Sequence, residues 1–210
     1  MRVRAVIAAF AALAPACASA PAPFDTTAEG FAIYRSGRLS RGELRALCAE
    51  GVREIVVLDG TAWRRECRWR NEVCPGLRVR WDEAQDPDRP VDAAFLRAFD
   101  AWVEEARREG KRIAFRCWQG WHRAGRLAAY YRIRFDGWTA EAAIREMHRR
   151  GRMMAAHPGL DPQVRALADF AAGRTCSVDL RYCVAGDAPA EASFPEDACP
   201  ADLRPSSSGQ

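Results

Sequence analysis

Four short apolar runs alternate with segments of helical periodicity through most of this chain. The runs read FAIYRS from Phe31, REIVVLD from Arg53, LRVRW from Leu77 and RIAFRC from Arg112. Strands that are joined by helices pair in parallel and place those helices on both faces of the sheet. The pattern therefore predicts an α/β fold, with a central, mostly parallel sheet flanked by helices.

Glycine and capping residues mark the predicted helices between these runs. The longest is predicted from Val91 to Glu109, with apolar residues at helical spacing and Gly110 as its end. Other helices are expected after Ser40, Gly120, Thr139 and Asp161. The segment 61–76 is arginine-rich and holds two cysteines, so it is interpreted as a disulfide-closed excursion.

The first 20 residues have the pattern of a secretory signal peptide. Arg2 and Arg4 precede an uncharged stretch that ends in a small-residue cleavage site at 18–20. The mature protein is therefore expected to be periplasmic or secreted. An alternative makes Cys17 a lipidated lipoprotein cysteine, although Ala14 stands where leucine is usual.

The 210 residues and their 49% apolar composition suit one globular domain. Residues 21–30 are predicted to be a linker and 31–172 the domain. Residues 173–210 are predicted to be a cysteine-containing extension with a disordered tail.

The net charge is low. It is +4 for the whole sequence, and removal of two signal-peptide arginines leaves about +2. Nucleic acid is therefore not an expected partner, nor is a membrane unless Cys17 is lipidated, and the protein is expected to be a monomer.

The cysteine count is odd once the signal peptide is removed, because eight cysteines minus Cys17 leave seven. In an oxidising compartment an odd count favours one free thiol or an intermolecular bridge. If Cys117 is free, six cysteines can form three disulfides in 15 ways. Proximity in the sequence favours Cys67 with Cys74 and Cys176 with Cys183, which leaves Cys48 with Cys199.

The stretch CWQGWHR, residues 117–123, carries the strongest chemical signal. Cys117 ends a predicted buried strand and Arg123 opens a predicted helix, where backbone N–H groups and the helix dipole attract anions. Such surroundings favour the thiolate, which is the nucleophilic form of cysteine. Gly120 lets the loop curl, and the Arg123 guanidinium can bind a phosphate with two hydrogen bonds.

The CX5R spacing of this stretch resembles the signature of the protein tyrosine phosphatase superfamily. The flanking segments YRSGRLSRGELRALCAEGVREIVVLDG and LAAYYRIRFDGWTAEAAIREM are similar to bacterial members of its dual-specificity branch. The resemblance covers about 31–172 and implies a cysteine phosphatase fold.

The resemblance also implies roles for individual residues. Cys117 would be the nucleophile and Arg123 the transition-state clamp. An aspartate on a separate loop would protonate the leaving group, with Asp86 favoured over Asp82 and Asp88. The loop residues between nucleophile and clamp would bind the phosphate: Trp118, Gln119, Gly120, Trp121 and His122. No metal or cofactor is implied.

The implied substrate is phosphotyrosine or phosphoserine on a protein, or a small phosphate ester such as an inositol phosphate. Two alternatives are a catalytically weak, phosphate-binding pseudophosphatase and a rhodanese-like sulfurtransferase. The sulfurtransferase is disfavoured because Arg123 at the sixth position suits phosphate.

Three features depart from the family pattern. Arg116 stands where the family usually has histidine, and its charge is expected to favour the thiolate. Ala124 stands where most relatives carry serine or threonine. Trp118 and Trp121 are bulkier than usual and are expected to alter substrate access.

Overall fold

A computed structural model describes residues 22–26, 30–187 and 191–204. The predicted signal peptide, including Cys17, and the last residues of the predicted disordered tail lie outside these ranges. The sheet has five strands in the order β1-β2-β5-β3-β4. Their bounds are Pro23–Thr26, Ala32–Ser36, Val52–Val57, Arg78–Asp82 and Arg112–Arg116 for β1 to β5.

Strands β2 to β5 pair in parallel, whereas β1 is antiparallel to β2. The predicted α/β class with a mostly parallel sheet is therefore confirmed. Strand β1 was not predicted, since 21–30 was interpreted as a linker. The buried Phe24 side chain explains the difference, because it packs edge-on against Phe115 and Tyr131 of the domain.

The described residues include six α-helices, five of which pack on the two faces of the sheet. Helices α1 and α2 share one apolar cluster with the sheet, and α3, α4 and α6 contribute to a second cluster on the other face. Helix α5 packs on α4 and α6. The bounds of α1 to α6 are Arg41–Ala49, Glu66–Val73, Ala93–Glu109, Arg123–Asp136, Ala140–Arg150 and Leu160–Ala171.

Most predicted helix boundaries are close to the observed ones. Ser40 caps α1 in a capping box with Glu43, and Gly110 ends α3 in the left-handed conformation at φ +62°. Helix α6 begins at Leu160, one residue before the predicted cap Asp161. Helix α2 was not expected within 61–76. In the described part of the chain, no helix is both long and apolar enough to cross a membrane.

The disulfide pairing differs from the prediction in two of three bonds. Cys67 and Cys74 lie at opposite ends of α2, about 10 Å apart along its axis, which is too far for a disulfide. Packing of α1 against α2 instead brings Cys48 to Cys74. The observed bonds are Cys48–Cys74, Cys67–Cys199 and the correctly predicted Cys176–Cys183. Among the described cysteines only Cys117 is free, as predicted.

Because β2 to β5 are parallel, the loops that follow them leave the sheet at one edge. We call this the carboxyl edge. The loop after β5 spans 117–122 and is called the nucleophile loop, after the role predicted for Cys117. The loop after β4 spans 83–92 and is called the acid loop, because it holds Asp86, the favoured proton donor. Clefts at such edges are the usual ligand sites of open parallel sheets.

Candidate active site

The nucleophile loop joins the central strand β5 to helix α4. Cys117 is only 2% exposed, and its Sγ accepts a hydrogen bond from the Gly120 N–H at 3.2 Å. Gly120 has φ +76°, and a Cβ at this position would lie 2.8 Å from the Gly37 backbone nitrogen. Only glycine fits this turn, which directs a backbone N–H towards the sulfur.

Arg123 is the first residue of α4, as the sequence predicts. Its Nη1 donates to the backbone oxygens of Leu58 at 3.1 Å and Gln85 at 3.4 Å. Leu58 follows β3, and Gln85 lies in the acid loop. The guanidinium group therefore lies between these two segments at the carboxyl edge, where the nucleophile loop also begins.

Arg35, at the end of β2, holds the outer side of the nucleophile loop. Its Nε and Nη2 donate to the Gly120 carbonyl at 3.0 and 2.8 Å, and Nη2 reaches the Trp121 carbonyl at 3.4 Å. Burial outweighs the interaction with Cys117, which acts in the opposite direction, and lowers the pKa of Arg35 to about 10. The sequence includes Arg35 in the YRSG stretch but assigns it no role. An arginine that ends a strand beside β5 is the signal that could have identified it.

Arg116 does not contribute its charge to Cys117 as expected. It is fully buried, and its Nε and Nη2 contact the two Glu66 carboxylate oxygens at 2.7 and 2.6 Å, while Nη1 contacts Asp59 at 2.7 Å. Burial acts to lower the pKa of Arg116, but these carboxylates outweigh it and raise the pKa. Side chains alternate along a strand, so this cluster and Cys117 lie on opposite sides of the sheet.

Asp82 ends β4 and binds backbone N–H groups. Its Oδ1 accepts from Ala62 at 2.9 Å and its Oδ2 from Trp63 at 3.3 Å. Burial raises the pKa of Asp82 to about 6, which would suit a proton donor. However, both of its oxygens are engaged, and its charged neighbours are Arg116 and Glu66, on the other side of the sheet from Cys117.

Asp86 and Asp88 both lie in the acid loop, near Arg123. Asp86 follows Gln85, whose carbonyl accepts from Arg123, and about half of the Asp86 side chain is exposed. Its Oδ1 accepts the Asp88 N–H at 2.8 Å. The Asp88 carboxylate pairs with Nδ1 of His157 at 3.0 Å. Asp86 is thus next in the chain to a residue that contacts Arg123, and its ion pair with Arg89 is longer, at 3.8 Å, than the contact of Asp88 with His157.

Arg126 of α4 and Gln163 of α6 donate hydrogen bonds to the acid loop. Arg126 is 1% exposed, and its Nη1 donates to the Arg89 carbonyl at 2.7 Å and to the Gln163 side-chain oxygen. Its Nη2 reaches the Gln85 side chain at 3.2 Å and the Asp86 carbonyl at 3.4 Å. The sequence gives no role to Arg126. Its place three residues after Arg123, on a buried helix face, is the available signal.

Gln163, on α6, adds a second contact to the acid loop, since its Nε2 donates to the Pro87 carbonyl at 3.0 Å. Burial outweighs the attraction of Asp86 and Asp88 and lowers the pKa of Arg126 to about 10. The charge of Arg126 is thus directed at the loop that carries the candidate proton donors.

His122, the last residue of the nucleophile loop, contacts the segment after α5. Its Nε2 lies 3.0 Å from the Arg152 carbonyl, and its ring centroid lies 4.4 Å from that of His157. Burial lowers the pKa of His122. Since His157 pairs with Asp88, this contact joins the nucleophile loop to the acid loop.

The remaining loop residues face outward to different degrees. Trp118 is 48% exposed, Gln119 is exposed and Trp121 is half-buried. Taken together, the loop offers a buried thiol, an inward N–H and an arginine at a helix start. This set can bind a tetrahedral anion and form a covalent bond to it through sulfur.

Solved structures of tyrosine phosphatases are similar to this chain. P. aeruginosa TpbA is 26% identical with a TM-score of 0.47, covering 67% of this chain and 86% of its own. A cysteine-to-serine variant of TpbA in complex with phosphotyrosine is 27% identical with a TM-score of 0.46, and the match covers 67% of this chain and 85% of that chain. Tk-PTP in the active form is 21% identical with a TM-score of 0.45, and the match covers 66% of this chain and 91% of that chain. No protein-family model and no curated protein matches the chain.

Proposed function

We propose that this chain is a cysteine-dependent phosphatase of the tyrosine phosphatase superfamily, which hydrolyses phosphate monoesters through a phosphocysteine. One observation carries the proposal. Cys117 is free and buried at the end of the central strand, where its sulfur accepts a backbone N–H, and Arg123 opens the next helix. Structural cysteines elsewhere in the described chain are paired.

In the first step the Cys117 thiolate attacks phosphorus, and the bond from phosphorus to the ester oxygen breaks. Loop N–H groups and Arg123 bind the three non-bridging oxygens, whose charge is largest in the transition state. Asp86 gives its proton to the leaving oxygen, so that an alcohol or phenol departs.

In the second step water attacks phosphorus, and the sulfur–phosphorus bond breaks. Asp86, now ionised, takes a proton from the water, and inorganic phosphate leaves as the thiolate re-forms. No metal takes part in either step.

Asp86 is the proposed acid for reasons of geometry. Arg126 and Gln163 bind the Asp86 and Pro87 carbonyls, and the Asp86 carboxylate accepts one local N–H and has only an exposed, 3.8 Å ion pair with Arg89. Asp82 is less suitable because both of its oxygens bind N–H groups, and Asp88 because it pairs with His157.

The proposed substrate is a phosphorylated protein, with phosphotyrosine favoured and phosphoserine accepted, on the basis of the sequence resemblance. The proposed location is the periplasm or the exterior. Three disulfides support export, since such bonds persist in oxidising compartments.

The test is hydrolysis of an aryl phosphate by the purified mature protein and its Cys117→Ser variant. We expect the variant to lose more than about 1,000-fold in kcat, because serine is a far weaker nucleophile at neutral pH. Thiol titration of the folded protein should fall from one free thiol to none, which controls for intact disulfides. Thiosulfate turnover without phosphatase activity would identify a sulfurtransferase instead, and phosphate binding without turnover a pseudophosphatase.

A further inference from the structure

Three arginine–tryptophan pairs lie at the carboxyl edge, and two of them include a tryptophan of the nucleophile loop. The guanidinium carbon lies 2.9 Å from the ring centre in the first pair, 4.5 Å in the second and 5.8 Å in the third. We call these six residues the arginine–tryptophan rim: Arg38 with Trp118, Arg64 with Trp63, and Arg152 with Trp121.

The rim lies at the carboxyl edge of the sheet. Arg38 follows β2, and its backbone N–H donates to the Trp118 carbonyl in the nucleophile loop at 3.0 Å. Trp63 and Arg64 follow β3. The Arg152 carbonyl contacts His122, as described above. Separate segments of the chain therefore meet at this edge. Burial lowers the pKa of Arg38, and Arg64 is close enough for its charge to lower that pKa further.

Large apolar side chains are exposed mainly at this rim. Trp63 is 42% exposed, Trp118 is 48% exposed and Met153, next to Arg152, is 70% exposed. In the described part of the chain only one other large apolar residue, Leu180, is exposed. A cluster of exposed apolar groups next to a catalytic loop is typical of an interaction surface.

The rim arginines also lack acidic partners, which many arginines elsewhere in the described chain have. Exposed Arg165, for example, pairs with Glu141 at 2.8 Å. Within the described ranges, Arg38, Arg64 and Arg152 form no ion pair, and the buried Nε of Arg38 has no hydrogen-bond partner. The rim therefore carries positive charge that the described part of the protein does not neutralise.

We propose that the arginine–tryptophan rim binds carboxylate side chains on either side of the phosphorylated residue in a polypeptide substrate. This inference rests on the proposed function, since it assumes that the phosphate occupies the nucleophile loop. It narrows the substrate class to phosphoproteins with acidic segments.

The chemistry of the pairs favours a carboxylate on a polypeptide. A guanidinium stacked on an indole keeps its in-plane N–H groups free, and these match the two oxygens of a carboxylate. The indole edges can pack against the aliphatic parts of a peptide. A membrane is a poorer match, because an indole could not enter the bilayer without its stacked charge.

The experiment compares two phosphotyrosine peptides of equal length. One has Asp and Glu flanks, and the other has Asn and Gln in the same places. Affinity is measured by fluorescence anisotropy with the Cys117→Ser variant, and kcat/KM with the wild type. We expect the acidic peptide to be favoured about tenfold at low salt, the combined effect of three exposed ion pairs, and less at high salt.

The double variant Arg64→Gln with Arg152→Gln should reduce this preference to about two- to threefold. Its turnover of an aryl phosphate without a peptide should be unchanged. Arg108→Gln is the matched control, because it removes one exposed charge near the end of α3, away from the rim. This control should keep the full preference.

The outcomes separate the two proposals. Equal affinity for both peptides, or an acidic preference that the rim variant retains, would overturn the proposal that the rim binds substrate carboxylates. Absent aryl phosphate turnover would count against the proposed function, while an acidic preference in binding would still support the rim. Rim-dependent binding to anionic vesicles, with no preference between peptides, would assign the surface to a membrane instead.

Discussion

The nucleophile loop and the acid loop lie side by side at the carboxyl edge, but they are held in different ways. The nucleophile loop is short, and its geometry follows mainly from the strand before it, the helix after it and Gly120, with Arg35 bonded to its outer carbonyls. The acid loop spans 83–92, and side chains of α4 and α6 bind several of its oxygens. The position of the proposed nucleophile is thus set mostly by local sequence, whereas that of the proposed acid depends on tertiary contacts.

Two buried arginines illustrate the difference. Arg116 is neutralised by Glu66 and Asp59, so its removal would leave two buried carboxylates unpaired and destabilise the fold. Arg126 is as deeply buried, yet the oxygens that it binds belong to uncharged groups, mostly of the acid loop. One arginine therefore has a structural role, and the other is a positioning residue.

The two loops should differ in how their variants respond to the leaving group. Asp86→Asn should lower kcat for alkyl phosphates about 1,000-fold, since these need a proton on departure, but lower it much less for aryl phosphates with good leaving groups. Rates with a series of esters measure this dependence. Asp82→Asn and Asp88→Asn are the matched controls, and a larger effect in either would transfer the role to that residue.

Arg126→Met should reproduce the same signature more weakly. It keeps most of the side-chain volume but removes the bonds to the acid loop, so we expect a loss on the order of 100-fold for alkyl phosphates. Arg126→Lys should recover part of this activity. If aryl and alkyl esters were affected equally, the acid loop would not depend on Arg126, and the contrast with the nucleophile loop would fail.

Arg35→Met should affect the nucleophile loop alone. Loss of its bonds to the Gly120 and Trp121 carbonyls should loosen the loop and reduce kcat about tenfold for all esters, whatever the leaving group. Alkylation of Cys117 by iodoacetamide should also slow, which a purely structural defect elsewhere would not cause. Arg38→Met, close by but without these bonds, is the control.

The sequence predicts the nucleophile loop well because its determinants are adjacent in the chain. The strand before Cys117, the glycine at 120 and the helix start at Arg123 all appear within a few residues. The four predicted strands and their parallel pairing follow from similarly local patterns.

What the sequence misses depends on contacts between distant residues. Arg35 lies 85 positions from Gly120, and Arg126 lies 37 positions from Arg89. The two wrong disulfide pairs have the same origin, since α2 was not predicted and sequence proximity was used instead. The expected effect of Arg116 on the thiolate took no account of its acidic partners, which are 50 and 57 positions away.

The smallest predicted effect concerns Ala124, which follows Arg123 and is fully buried in the same apolar cluster as Cys117. Most relatives that the sequence resembles carry a hydroxyl here, which hydrogen-bonds the sulfur as water releases it from phosphocysteine. Alanine cannot, so the second step should limit turnover, with a burst of product near one equivalent per enzyme followed by a slow steady rate.

Ala124→Ser tests this limit on the nucleophile side of the site. It should raise the steady rate about three- to tenfold, the range expected of one hydrogen bond, and leave the burst rate nearly unchanged. The hydroxyl stabilises the thiolate as it re-forms and contributes little to its first attack. Rapid-quench measurements separate the two phases, and Ala128→Ser, one turn further along α4, is the control for a buried hydroxyl. The wild type could instead show no burst, and Ala124→Ser no gain. That result would mean that the first step limits turnover, or that another group, such as His122 in the loop, already hydrogen-bonds the sulfur.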